Sequence, residues 1–315
     1  MSAKKAAVQP RSTGHLWKQI KKHWQLYLIF ALPFALVLLF SYKPMYGILI
    51  AFKDFVATKG ILGSQWADPW YKYFEMFVKT QNFPRLMWNT VTLSLYGLIA
   101  GFPIPIILAI SLNECRNVKM KKTVQMITYA PHFISVVIIV SILSLMLAPK
   151  TGIVNNLIEA LGGERIDFFS KPEYFKSLYV WSGVWQGMGF SSVIYMAALS
   201  GVSPALHEAA ILDGASKLQR IFHVDLPSIS PTIIITLILN VGNIMSVGYE
   251  KVLLMQTSLN MSSSDVISTY VYRIGLVNAQ YSLSTAVGLF NSIINIALLV
   301  TVNFIARKVS ETSLW

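Results

Sequence analysis

Six stretches of this 315-residue chain contain no Asp, Glu, Lys or Arg: Leu26–Tyr42, Val91–Leu112, Val124–Leu147, Ser177–Leu199, Ile229–Val247 and Leu283–Ala306. Each is roughly 17–25 residues long, enough at about 1.5 Å per residue to cross a hydrocarbon core of roughly 30 Å. A soluble fold has no use for such runs. Composition agrees: 54% of residues are hydrophobic and 13% charged, against about a quarter charged in an average globular chain. The expected fold class is all-α, a polytopic membrane protein with six transmembrane helices. Proline in or beside the runs (Pro33, Pro103, Pro105, Pro131, Pro231) predicts kinked helices.

The net charge of +12 is spread between the apolar runs and forms no single basic patch. It reads as a lipid-headgroup and topology signal before a nucleic-acid one. Six basic residues precede the first run (Lys4, Lys5, Arg11, Lys18, Lys21, Lys22), which favours cytoplasmic termini by the positive-inside rule. The chain divides into a basic cytoplasmic segment 1–25, a membrane domain 26–306 containing the cytoplasmic loop 200–228, and a tail 307–315. Within Gly14–Gln25, Trp17, Ile20 and Trp24 share one helical face and Lys18, Lys21 and Lys22 another. That pattern suits a helix on the headgroup surface, and serves equally as a plain positive flank. A mixed stretch, Met45–Phe55, is expected to rest on the outer interface.

Several chemistries are absent. His207-Glu208-Ala209-Ala210-Ile211 begins like a zinc-hydrolase motif but lacks the second histidine. Gly187-Met188-Gly189-Phe190-Ser191-Ser192 lacks the third glycine of a dinucleotide loop and lies inside a span, where it suits close packing. One cysteine, Cys115, precludes an internal disulfide. No phosphate-binding G-x-x-x-x-G-K-[ST] motif occurs, so any ATP must be bound by another subunit. The runs hold only one strongly titratable group, His132, read here as structural; an ion-driven carrier would need more. No catalytic residue, metal site or cofactor of this chain's own is expected.

The informative segment is Ser200–Ser228. Ser203 is placed to cap a short helix, Pro204 suits its first position, and Gly214 can end it. A second short helix, Ser216–His223, is expected to precede a span starting at Pro227. Ala209, Ala210, Ile211 and Leu212 are too apolar to leave bare, so a partner should cover the elbow.

Those residues resemble the signature of importer-type ABC permeases, E-A-A-x-x-x-G followed after nine residues by I-x-L-P. Here it stands as Glu208-Ala209-Ala210, Gly214, Val224, Leu226 and Pro227, with valine in place of isoleucine. Tyr46-Gly47, Ala51–Asp54, Thr151–Asn155, Ser264–Tyr272 and Ser310–Trp315 extend the similarity to oligo- and polysaccharide permeases related to the alginate and rhamnogalacturonan importers. The resemblance implies a permease subunit of an ATP-driven carbohydrate importer in the bacterial plasma membrane. Its implied partners are a second homologous permease, two cytoplasmic ATPases carrying ATP and magnesium, and an external solute-binding protein. It also implies that Glu208, Ala209, Ala210, Gly214, Leu226 and Pro227 belong to a coupling helix docked on an ATPase. A secondary carrier or channel working without ATP is the alternative.

For the solute, amides in apolar helices offer donors and acceptors to hydroxyls, and aromatic faces stack on sugar rings. Gln186, Gly187, Asn240 and Asn243 with Trp181, Trp185, Phe190 and Tyr195 are the candidate pathway residues, and maltose-type relatives are similar in using the helices that flank this loop. Asn291 and Asn295 are read instead as bridges between helices.

Overall fold

A computed structural model describes residues 21–310, 313 and 314. The principal helices are α1 (Trp24–Val37), α2 (Lys72–Lys79), α3 (Phe83–Gly101), α4 (Pro103–Asn113), α5 (Val118–Tyr129), α6 (Val136–Met146), α7 (Ile153–Ala160), α8 (Pro172–Ser200), α9 (Pro204–Leu212), α10 (Leu226–Gly242), α11 (Tyr249–Met255), α12 (Ile267–Tyr272) and α13 (Tyr281–Ser310). Strand pairing among the described residues is one antiparallel ribbon, β1 (Lys53–Asp54) with β2 (Gln65–Trp66). The expected surface helix Gly14–Gln25 and the closing stretch Ser310–Trp315 lie largely outside the described residues.

Four helical runs are long and apolar enough to cross a membrane: Trp24–Phe52, Phe83–Asn113, Lys217–Gly242 and Tyr281–Lys308. Two bent pairs, α5 with α6 and α8 with α9, bring the number to six when each pair counts as one span. The all-α membrane architecture expected from the uncharged runs is therefore present.

The structure refines three of the local expectations. Met45–Phe55 is not a separate element: Met45–Phe52 continues the first helical run, with Ala51 fully buried. The expected fifth span, Ile229–Val247, loses its helix after Gly242 and passes through irregular backbone to α11. The third, Val124–Leu147, bends beside Pro131 as that proline predicts, the chain turning by 103° between Phe133 and Val136. Pro131 cannot donate to the preceding turn, the chain tightens into a 3-10 turn at Ala130–Phe133, and Ser135 starts α6 by accepting the amide of Ile138. Its 11 residues span only about 16 Å.

Between helices in lipid there is little hydrophobic drive, so close approach of small residues has to hold them together. Gly189 on α8 lies so near α5 that an added Cβ would sit 2.1 Å from the carbonyl oxygen of Thr128. Apolar clusters pack the two ends of the bundle. Near α9, Ile106, Ala109, Tyr195, Leu199 and Ile229 join α4, α8 and α10. Toward the other end of α8, Leu93, Val140, Phe175, Val180, Val252 and Met255 join α3, α6, α8 and α11. Helix α8 has 29 residues, about 43 Å, and leaves a polar interval between those clusters.

Candidate functional site

At one end of the molecule α9 lies across the bundle, turned 72° from α8. Pro204 occupies its first turn, but Ser203 stands at the N-cap without accepting a hydrogen bond. The helix stops in a Schellman turn: the Gly214 amide donates to Ile211 and that of Ala215 to Ala210, 3.0 and 2.9 Å. Gly214 takes φ +78, a conformation costly for any residue with a Cβ. No residue of α9 is buried; Leu206, Ile211 and Leu212 are 51%, 55% and 88% exposed. Glu208 and Ala209 are exposed, as are Gly214 and Pro227, whereas Ala210 and Leu226 are half-buried. Among the described residues Glu208 has no hydrogen-bond or ion-pair partner.

The second short helix is not separate from the span. Lys217–Arg220, capped reciprocally by Ser216 and Gln219, runs through a π turn at Ile221–Asp225 directly into α10. A π turn can absorb the hydrogen bond that Pro227 is unable to make. Two side-chain contacts fasten the elbow. His207 Nε2 lies 3.2 Å from the buried carboxylate of Asp225, linking α9 to the base of α10, and Lys217 Nζ lies 3.2 Å from Glu114 beyond α4.

Between the two apolar clusters is a cavity of about 600 Å³ walled by α3, α4, α8, α10 and the irregular segment after Gly242. Ser94, Gln186, Ser191, Tyr195, Thr236, Asn240, Asn243 and Ser246 line it among apolar residues, as does Gly187. Unwound backbone at membrane depth is tolerated where it borders such a cavity. Side chains of α13 hold that segment: Asn295 Oδ1 accepts the Met245 amide, Asn295 Nδ2 donates to Ser246 Oγ, and Asn291 Nδ2 donates to the Met245 carbonyl. These are the bridging roles expected of Asn291 and Asn295.

Residues 101–311 match the family described as the binding-protein-dependent transport system inner membrane component. The chain belongs to this family. It is 40% identical to protein LplB of Bacillus subtilis (strain 168) over 98% of this chain and 97% of that one. The polygalacturonan/rhamnogalacturonan transport system permease protein YteP of the same organism is also 40% identical, over 92% of this chain and 90% of the relative. Among solved structures, a bacterial ABC transporter involved in the import of the acidic polysaccharide alginate superposes with TM-score 0.85 at 38% identity, covering 94% of this chain and 99% of the other. The alginate transporter in complex with an alginate pentasaccharide-bound periplasmic protein gives TM-score 0.86, 38% identity and 95% and 99% coverage.

In this inner-membrane component the candidate pathway residues separate by helix face. Gln186, Gly187, Tyr195, Asn240 and Asn243 share the cavity. Trp181 and Trp185 line a different, largely apolar groove between α6 and α8. Phe190 is stacked on the imidazole of His132, ring centroids 4.1 Å apart, at the break in the third span. Some cavity residues also hold helices together. Gln186 Nε2 donates to the Ile134 carbonyl freed at that break, and the Tyr195 and Thr236 hydroxyls bond across α8 and α10 at 2.9 Å. The Nδ2 groups of Asn240 and Asn243 bond back to Thr236 and Leu239.

One lining residue was missed. Lys251 falls in a charged interval between the fifth and sixth runs, yet α11 folds back and buries it to 8% exposure against the cavity. The sequence carried a faint signal: Met255, one helical turn on from Lys251, belongs to an apolar face with Val252.

Proposed function

We propose that the chain is one of two unlike permease subunits of an ATP-driven carbohydrate importer, with both termini cytoplasmic. A solute-binding protein delivers an oligo- or polysaccharide from outside, and two cytoplasmic ATPases that bind ATP and magnesium supply the energy. The carbohydrate assignment rests on what relatives 38–40% identical across nearly the whole chain are named for and on a cavity of amides and hydroxyls suited to sugar hydroxyls.

The observation that carries the mechanism is that α8 and α10, which flank the exposed elbow helix α9, also wall the cavity. Docked in an ATPase groove, α9 would bury Leu206, Ile211 and Leu212, with Glu208 on a basic or donor group and Ala209 and Ala210 allowing close approach. Gly214 sets the bend, and Leu226 with Pro227 anchors the base of α10. When ATP draws the two ATPases together, the displacement of α9 passes through His207–Asp225 and Lys217–Glu114 into α10 and α4. Inward- and outward-open states then exchange populations by an amount set by the differential binding of ATP and receptor.

Glu208→Lys is the test. The variant is expected to insert and assemble at normal levels while sugar uptake in proteoliposomes falls at least tenfold and ATP hydrolysis no longer responds to the loaded receptor. Uptake at the wild-type rate would overturn the docking assignment.

A further inference from the structure

We infer that Lys251 is the residue by which the cavity selects an anionic sugar, its ammonium accepting the carboxylate of a uronic-acid unit. The inference rests on the carbohydrate reading and deepens it. Among the described residues Lys251 is the only charged side chain lining the cavity, and it forms no ion pair with any described carboxylate. Its Nζ donates to the Tyr179 carbonyl at 2.9 Å and lies 4.8 Å from the centre of the Tyr179 ring. An added Cβ at Gly183 would come within 3.3 Å of that nitrogen, so the small residue leaves it room.

A purely structural role accounts poorly for this arrangement. The Tyr179 carbonyl is already inside α8 and also accepts from Ser182 Oγ at 3.1 Å, so it needs no further donor. The aliphatic stem could be replaced by methionine without loss of packing, whereas a buried ammonium without a counter-charge is unfavourable. Among the described residues the Tyr179 carbonyl is the Lys251 ammonium's one hydrogen-bond acceptor. A carboxylate carried by the solute would supply the counter-charge. A carboxylate fits better than a phosphate, because a single lysine matches one negative charge and no arginine fork lines the cavity. The surrounding amides and hydroxyls would take the sugar hydroxyls, as a cavity of this volume permits.

The test uses the complete transporter with its receptor in proteoliposomes and two probes of equal length, trigalacturonate and its uncharged methyl ester. Each variant is scored against wild type on the same sugar, so the receptor's own preference cancels. Binding of both probes to the receptor-free complex is measured alongside. Lys251→Gln is expected to lower trigalacturonate uptake and binding at least tenfold and to leave the ester within twofold, while Lys251→Arg keeps at least a third of wild-type uptake. Equal losses on both sugars, or undiminished trigalacturonate uptake in well-assembled Lys251→Gln, would overturn the inference. If wild type binds and transports neutral oligosaccharides but not trigalacturonate, the acidic assignment fails and the carbohydrate reading stands. If no sugar is transported or stimulates ATP hydrolysis, both fail.

Discussion

Lys251 is the one charged side chain among the described residues that line the cavity. Burial pushes Lys251 down from its ordinary 10.5 to about 8. Between those values the unfolded chain holds a proton that the native one has released, so this group makes stability rise with pH across that window. Below about pH 8 both states are protonated and the native state carries the full penalty, on the order of 3 kcal/mol for such a shift. Lys251→Met should therefore raise the apparent unfolding midpoint of the solubilised protein at pH 7, and its gain should shrink as pH approaches 10.5; a lower midpoint at pH 7 would count against this sign. Asn243 stands where α10 ends on the cavity wall. Loss of one hydrogen bond worth about 1.4 kcal/mol is a tenfold effect, so Asn243→Ala should cut sugar uptake about tenfold with basal ATP hydrolysis unchanged.

At the scale of one helix, α8 performs three jobs on three faces. Gly187 and Gln186 face the cavity, Gly189 abuts α5, and Trp181 with Trp185 lines the separate groove. The two glycines are two positions apart and should respond in opposite ways. A Cβ at Gly187 meets nothing within 4 Å, so Gly187→Trp should fill cavity space, block uptake and leave the unfolding midpoint nearly unchanged. Gly189→Leu would drive a side chain into the Thr128 carbonyl, and overpacking of that kind costs about 1–3 kcal/mol. It should lower the midpoint and the yield of assembled complex, as thermal denaturation and size-exclusion profiles would record. The break in the third span belongs to the same scale: Gln186 ties down its freed Ile134 carbonyl, and Phe190 holds His132 beside it.

On the scale of the whole molecule, the cavity lies between an apolar cluster near α9 and another toward the far end of α8. That placement puts it midway along the spans, where access from either side is open to control by tilting α8 and α10 against α3 and α4. With Cys115 replaced by serine, a cysteine in place of Gly187 reports the switch. An impermeant maleimide should reach it from the α9 side without nucleotide and from the opposite side with ATP and loaded receptor. Labelling from one side under all conditions would exclude alternating access through this cavity.

The residue order alone determined the membrane architecture, because uncharged runs of span length have no other favourable environment. It also determined the elbow: Pro204 at a helix start and Gly214 at its end are local chemistry, read from neighbours in sequence. Only the tertiary structure decided that Pro131 breaks its helix while Pro231 stays inside α10, since the outcome depends on what receives the freed backbone groups, and Gln186 lies on another helix. It alone separated Gln186 and Gly187 from Trp181 and Trp185, for an apolar helix does not announce which face its neighbours will occupy. Lys251 is the plainest case. A charge between apolar runs belongs by default in water, and it takes the fold-back of α11 onto α8 to place it in the cavity.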